Sequence, residues 1–219
     1  MKRLLMAFAF LLCVFPYALS FAAQAAETKA EESTTTQANE APPDFRNVRW
    51  GMSVAEVRER EPRKPNAEHK EAIGSSSYIR ASLMYEVKVG THKMNLLYSF
   101  MDNKLFMAAY FLDEDFTNKN NYVEAYEQLV SALKEKYGTP QQEETSWSND
   151  LLKNTPGNLG LAYSRGDVLS FAEWHHKGTN IAAMINGNNH EIDVFIKYHD
   201  DAVYAEYEKL RKQKVKSDL

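Results

Sequence analysis

Residues 78–112 read YIRASLMYEVKVGTHKMNLLYSFMDNKLFMAAYFL, and the period of this stretch decides the fold. Apolar side chains recur at every second position: Ile79, Ala81, Leu83, Tyr85, Val87 and Val89 share one face, while Arg80, Ser82, Glu86 and Lys88 share the other. This is the alternation of a strand with one buried face, not the 3.6-residue period of a helix. Gly90-Thr91-His92 supplies a turn, and Met94, Leu96, Tyr98 and Phe100 carry a second strand. Asp102-Asn103-Lys104 supplies another turn before a third strand over residues 105–112. The segment predicts a three-stranded antiparallel meander.

Upstream, Ser53-Val54-Ala55-Glu56 has the spacing of a capping box, and Met52 and Val57 stand where a hydrophobic staple would close over it. A short helix is expected there, entered from a strand-like Val48-Arg49-Trp50 and stopped by Pro62 and Pro65. Downstream the plan recurs. Asn121 with Glu124 predicts a helix start, Val123, Tyr126, Val130, Leu133 and Tyr137 follow at helical spacing, and Gly138 and Pro140 end it. Alternating stretches over residues 168–176, 180–186 and 191–198 predict a second meander, with one more strand and a Pro156-Gly157 turn between residues 147 and 163. A final helix is expected from Asp200 or Asp201, turning Val203, Tyr207 and Leu210 inward. The fold class is thus α+β: two helix-plus-meander repeats, about residues 45–117 and 118–215, forming one domain with a largely antiparallel sheet backed by helices.

The chain begins with Lys2 and Arg3 and an apolar run from Leu4 to Val14, and Ala23-Gln24-Ala25 has the small-x-small form of a cleavage site. Residues 1–25 therefore read as a signal peptide, too short in its apolar core for a transmembrane helix. Cys13, the single cysteine, would leave with it, so the mature chain would carry no thiol, no disulfide and no transmembrane segment. Residues 26–44, mostly Thr, Glu, Ala, Gln and Pro, read as a disordered linker. The expected location is periplasmic or extracellular. A net charge of −4 across 219 residues argues against a nucleic-acid partner.

Trp50-Gly51-Met52-Ser53-x-x-Glu56-Val57 before one helix, and Tyr137-Gly138-Thr139-Pro140 after the next, resemble the signatures of the SmpA/OmlA and β-lactamase-inhibitor-protein group. The resemblance runs from Val48 to about Tyr198. It departs from the group where Glu61-Pro62-Arg63-Lys64-Pro65 replaces a Gly-x-Pro, and in the absence of a lipidation cysteine. It implies tandem helix-plus-meander units and a binding or assembly role rather than an enzyme.

Candidate chemistry is sparse. His175 and His176 are adjacent on a strand and point to opposite faces, so they would not share a metal, although Glu173 and His175 share one face and His190 could approach them. His199-Asp200-Asp201 puts an imidazole beside two carboxylates, a pattern that helix capping explains more simply than acid–base chemistry. Asp113-Glu114-Asp115 lacks calcium-loop spacing, and Ser75-Ser76-Ser77 lacks the strand-to-helix elbow of a nucleophile. The basic residues Lys209, Arg211, Lys212, Lys214 and Lys216 suit a helix end. The strand over residues 105–112 is apolar on both sides: Leu105, Met107 and Phe111 on one, Phe106, Tyr110 and Leu112 on the other. Something must cover its second face, either the rest of the chain or a partner. Phe106, Tyr110 and Leu112 are accordingly the candidate partner-binding residues. The leading expectation is an exported, non-catalytic binding, assembly or inhibitor-like module, without cofactor or metal, whose partner is another envelope protein. The alternatives are a hydrolase with a His/carboxylate site assembled in space, and a binder of an apolar small ligand.

Overall fold

The computed structural model describes residues 43–69 and 81–217. The expected signal peptide, most of the expected linker, Tyr78 to Arg80 and the three serines after Gly74 lie outside the described residues. From Asp44 onward the chain forms one unit. Its core is an eight-stranded antiparallel sheet with strands in the order β1-β2-β3-β4-β8-β7-β6-β5. The strands are β1 (Ala67–His69), β2 (Ala81–Val89), β3 (His92–Met101), β4 (Lys104–Leu112), β5 (Gln142–Trp147), β6 (Val168–His176), β7 (Thr179–Asn188) and β8 (Glu191–Asp200). Among the described residues four helices accompany them: α1 (Val54–Arg60), α2 (Asn120–Tyr137), α3 (Leu159–Arg165) and α4 (Asp201–Ser217), with a 3-10 turn at Asp150–Leu152. The α+β class and the antiparallel sheet follow the sequence. The two meanders meet where β4 pairs with β8, Tyr110 opposite Ile196 and Ala108 opposite Tyr198.

Local chemistry explains most element ends. Ser53 and Glu56 form both bonds of the capping box at α1, and Met52 and Val57 are buried beside it. Asp200 caps α4 by accepting from the Val203 N–H at 2.7 Å. At α2 the helix starts one residue before the expected Asn121, and Lys119 precedes it without a side-chain cap; Asn118 Oδ1 accepts from the Asn120 N–H instead, at 3.0 Å.

Three sequence expectations need correction. Residues 48–50 form no strand: Phe45 and Val48 make an isolated bridge in a tight turn, and Gly51 and Met52 bond to Leu105. The extra strand of the second half is β5, which comes before residue 148; the segment that follows holds the 3-10 turn and α3. Gly160 lets α3 start against α2, since a Cβ there would lie 2.3 Å from the Lys119 carbonyl carbon. The two sides of β4 also differ from simple alternation. A bulge shifts the register between Ser99 and Phe100, so Leu105 opposes Phe100 while Met107 opposes Ser99. Leu105 therefore joins Tyr110 in the helix-side core, and Phe106 packs on the other face against Tyr207 of α4, ring centroids 5.4 Å apart.

One face of the sheet carries α1, α2, α3 and the segment 44–53; their apolar side chains form a continuous core with Leu83, Leu96, Ile185 and Ile196. The opposite face carries α4, through Tyr207 on Phe106 and Tyr204 on His199.

Candidate functional site

The partner-binding residues expected from sequence do not form a surface. Phe106 is 0% exposed, and Tyr110 is buried on the opposite side of the sheet, its ring against Phe45 and Tyr198. Leu112 is half-buried against the helix-side core. Doubly apolar β4 is explained by cover on both faces. Among the described residues the exposed large apolar side chains are Leu151 and Leu161, both in the segment after β5.

The histidines also separate. His175 faces the α4 side with Glu173, whereas His176 lies against Tyr137 on the other side. His190 stands in the β7–β8 turn, at the far end of β7 from Asn180, the residue opposite His175. Among the described residues no three His, Asp or Glu side chains are placed to hold a metal. The α4 side instead holds a buried polar group of a different kind. Lys197 lies between two alanines, Ala109 and Ala182, with its Nζ 4.8 Å above the Tyr204 ring. Burial lowers its pKa to about 8, against weak support from Glu173 and Glu208. His199 stacks on Tyr204 at 3.9 Å, and its Nδ1 is without a hydrogen-bond partner. Burial, with Lys197 and His175 nearby, pushes its pKa down to about 2, so it is a neutral and very weak base. Asn180 donates to Glu173 alongside it.

The concave feature of the helix side is a cleft of about 830 Å³ between α2 and the sheet-edge strand β5, closed at one end by residues 152–157 and α3. That volume lies within the range of ligand sites. Helical spacing on α2 turns Val123, Tyr126 and Val130 toward the sheet. From β5, alternation sends Glu143, Thr145 and Trp147 to the same side, opposite Ala172, Ser170 and Val168. At the floor, three hydroxyls form a chain: Ser170 Oγ lies 2.7 Å from Thr145 Oγ1 and 2.6 Å from the Tyr163 hydroxyl. Tyr126 is only 8% exposed and lines the cleft beside Thr145 and Tyr163. Burial, with Tyr163 and Glu143 nearby, raises its pKa, so the hydroxyl stays protonated as a donor.

Charges line the rim. Lys134 Nζ is 2.8 Å from Glu143, and Lys153 is 3.1 Å from Asp150 with its Nζ 5.9 Å over the Trp147 ring. Both lysines are thus paired, whereas Glu127 and Glu144 add exposed carboxylates without a cation among the described residues. No histidine is among the residues lining the cleft. Ser170 is thus bonded to hydroxyls rather than to an imidazole.

Sequence reading found the α2 positions as core and placed the extra strand too late, after residue 147 rather than over Gln142–Trp147. Gln142-Glu143-Glu144-Thr145-Ser146-Trp147 is polar at nearly every position, because an edge strand exposes both faces. The chain matches no protein-family model, and no curated protein or solved structure is significantly similar to it.

Proposed function

We propose that this chain is an exported, non-catalytic binding module that takes its partner in the α2–β5 cleft. The observation that carries the reading is the cleft itself: about 830 Å³ of open space between α2 and β5, with Val123, Tyr126, Val130 and Trp147 on its walls and the Thr145–Ser170–Tyr163 hydroxyl chain at its floor. Export rests on the n-region, apolar run and Ala23-Gln24-Ala25 of the first 25 residues. The strand order, symmetric about the β4–β8 seam, supports two helix-plus-meander repeats and the likeness to the SmpA/OmlA and inhibitor-protein group, whose members bind or assemble. The partner is another envelope component.

The test is a photo-crosslinking amino acid placed in the mature chain at exposed Ser131 on the cleft rim, with Glu59 on α1 as the control position. A discrete adduct is expected from Ser131 in the envelope, absent from Glu59 and lost when Val130→Trp fills the cleft. Equal crosslinking from both positions, or adducts indifferent to the filled cleft, would contradict the reading.

A further inference from the structure

β5 is the last strand of the sheet among the described residues, so one of its sides has no neighbouring strand there. Which backbone groups lie on that side follows from the phase of the ladder. The Ser148 N–H donates to the Asp167 carbonyl at 2.9 Å, and the Glu173 carbonyl accepts from Gln141. Ser148 continues the register in which Ser146 opposes Leu169 and Gln142 opposes Glu173. In an antiparallel ladder alternate residues direct both backbone groups to one neighbour. Gln142, Glu144 and Ser146 therefore turn toward β6, and Glu143, Thr145 and Trp147 present N–H and C=O to the open edge. The side chains of these same three residues line the cleft. A strand laid along this edge would thus gain a backbone ladder and place every second side chain beside Tyr126 and Trp147.

The geometry points to strand addition: the cleft's ligand is an extended peptide segment, apolar at alternate positions and basic at its flanks, that pairs with the β5 edge. This rests on the binding reading above. Charge selects the occupant. The lysines of the rim are already neutralised, and Glu127 and Glu144 leave it acidic, with Glu143 beside them. A second copy pairing edge to edge would bring Glu143 and Glu144 of both chains onto one short ladder, which like charges oppose. The segment 27–43 of the chain itself carries Glu27, Glu31, Glu32 and Glu40 against Lys29 alone, and meets the same repulsion. A basic partner meets none. Acidic side chains on this edge thus bar self-association while leaving the edge open to a complementary strand. With a strand rise of about 3.3 Å, six residues of β5 accept a segment of similar length.

The experiment uses the mature chain and a fluorescein-labelled peptide of about seven residues alternating lysine and valine, followed by fluorescence anisotropy. Saturable binding is expected, weakened at least about tenfold when every second peptide amide is N-methylated, because the ladder is then lost. An alternating glutamate–valine peptide should bind at least about tenfold more weakly than the lysine peptide. The double variant Glu143→Gln, Glu144→Gln should weaken lysine-peptide binding and flatten its salt dependence. Thr145→Pro, which removes one outward N–H at an edge position, should weaken it too, with a melting curve run beside it to check folding. Equal affinity of the N-methylated and unmodified peptides for the unaltered chain would overturn strand addition. So would affinity indifferent to Glu143 and Glu144, or dimers that Thr145→Pro dissociates. A Ser131 crosslink that persists while the peptides fail would leave the binding module standing and remove only the strand-adding ligand.

Discussion

The two halves of the helix side are built from the same kinds of element and finished in opposite ways. In the first half the space between helix and sheet is filled. The segment 44–53 puts Phe45 against Tyr98, Tyr110 and Tyr198, and the buried carboxylate of Glu61 meets Arg46 at 3.2 Å. Tyr98 donates to the same carboxylate, and Arg46 reaches the Tyr110 hydroxyl at 3.3 Å. Burial works against the Arg46 charge, but Tyr110 and Glu61 outweigh it and hold its pKa above the usual value. In the second half the corresponding space is a cleft lined by Tyr126, Thr145 and Tyr163. The contrast separates space that the chain fills with its own side chains from space that it leaves open to a ligand.

The largest expected effect tests the filled half. Glu61→Ala leaves Arg46 and Tyr98 without their carboxylate and should cost about 3–5 kcal/mol in urea unfolding. A loss below about 1 kcal/mol would mean that the first half is not closed by charge pairing. Phe106→Ser, against Tyr207, should cost about 3 kcal/mol by thermal or urea melting; an unchanged midpoint would return that side chain to a surface role.

A charge buried without a close partner should behave in the reverse sense. The folded-state pKa of Lys197 is about 8 against an ordinary 10.5, so at neutral pH the folded chain pays to keep the ammonium. Stability should rise as pH climbs from about 8 to 10.5, where the unfolded chain holds the extra proton, and be fully regained above that window. Lys197→Met should add about 1–3 kcal/mol at pH 7 and abolish the alkaline rise. His199 sets the acid limit in the same way: its pKa is about 2 folded against 6.5, so its contribution is complete above 6.5 and is lost as pH falls toward 2. His199→Leu should flatten that acid limb in urea melts taken from pH 7 to 3. A limb of unchanged slope would assign acid lability to the carboxylates instead.

The smallest effect sharpens the comparison most. Tyr98→Phe removes a hydroxyl bonded to a buried carboxylate and should cost about 1.5–3 kcal/mol. Tyr126→Phe removes a hydroxyl of a residue that lines the cleft, and urea unfolding should move by no more than about 0.5 kcal/mol. Equal losses would show that the Tyr126 hydroxyl holds the fold as the Tyr98 hydroxyl does.

Much of the filled half was legible in the sequence because its signals are local: the capping box of Ser53 and Glu56, the two-residue period of β2 and β3, and the Asp102-Asn103 turn. Tyr126 was legible as a helix position facing the core, but a helical period cannot say whether a hydroxyl will find a partner across a fold. Phe106 was misplaced because one bulged residue reverses the parity of everything beyond it. The Gln142–Trp147 strand was placed too late because hydrophobic alternation marks burial, and an open edge has little of it. The features that close the fold are written in pattern; the feature that leaves it open is written in the lack of one.

Amide hydrogen exchange along β5 tests that openness most directly. The account predicts rapid exchange at Glu143, Thr145 and Trp147, slow exchange at Glu144 and Ser146, and protection of the first three when the lysine–valine peptide is added. Strong protection at all five amides in the free chain, or peptide binding that leaves Glu143, Thr145 and Trp147 unprotected, would contradict it.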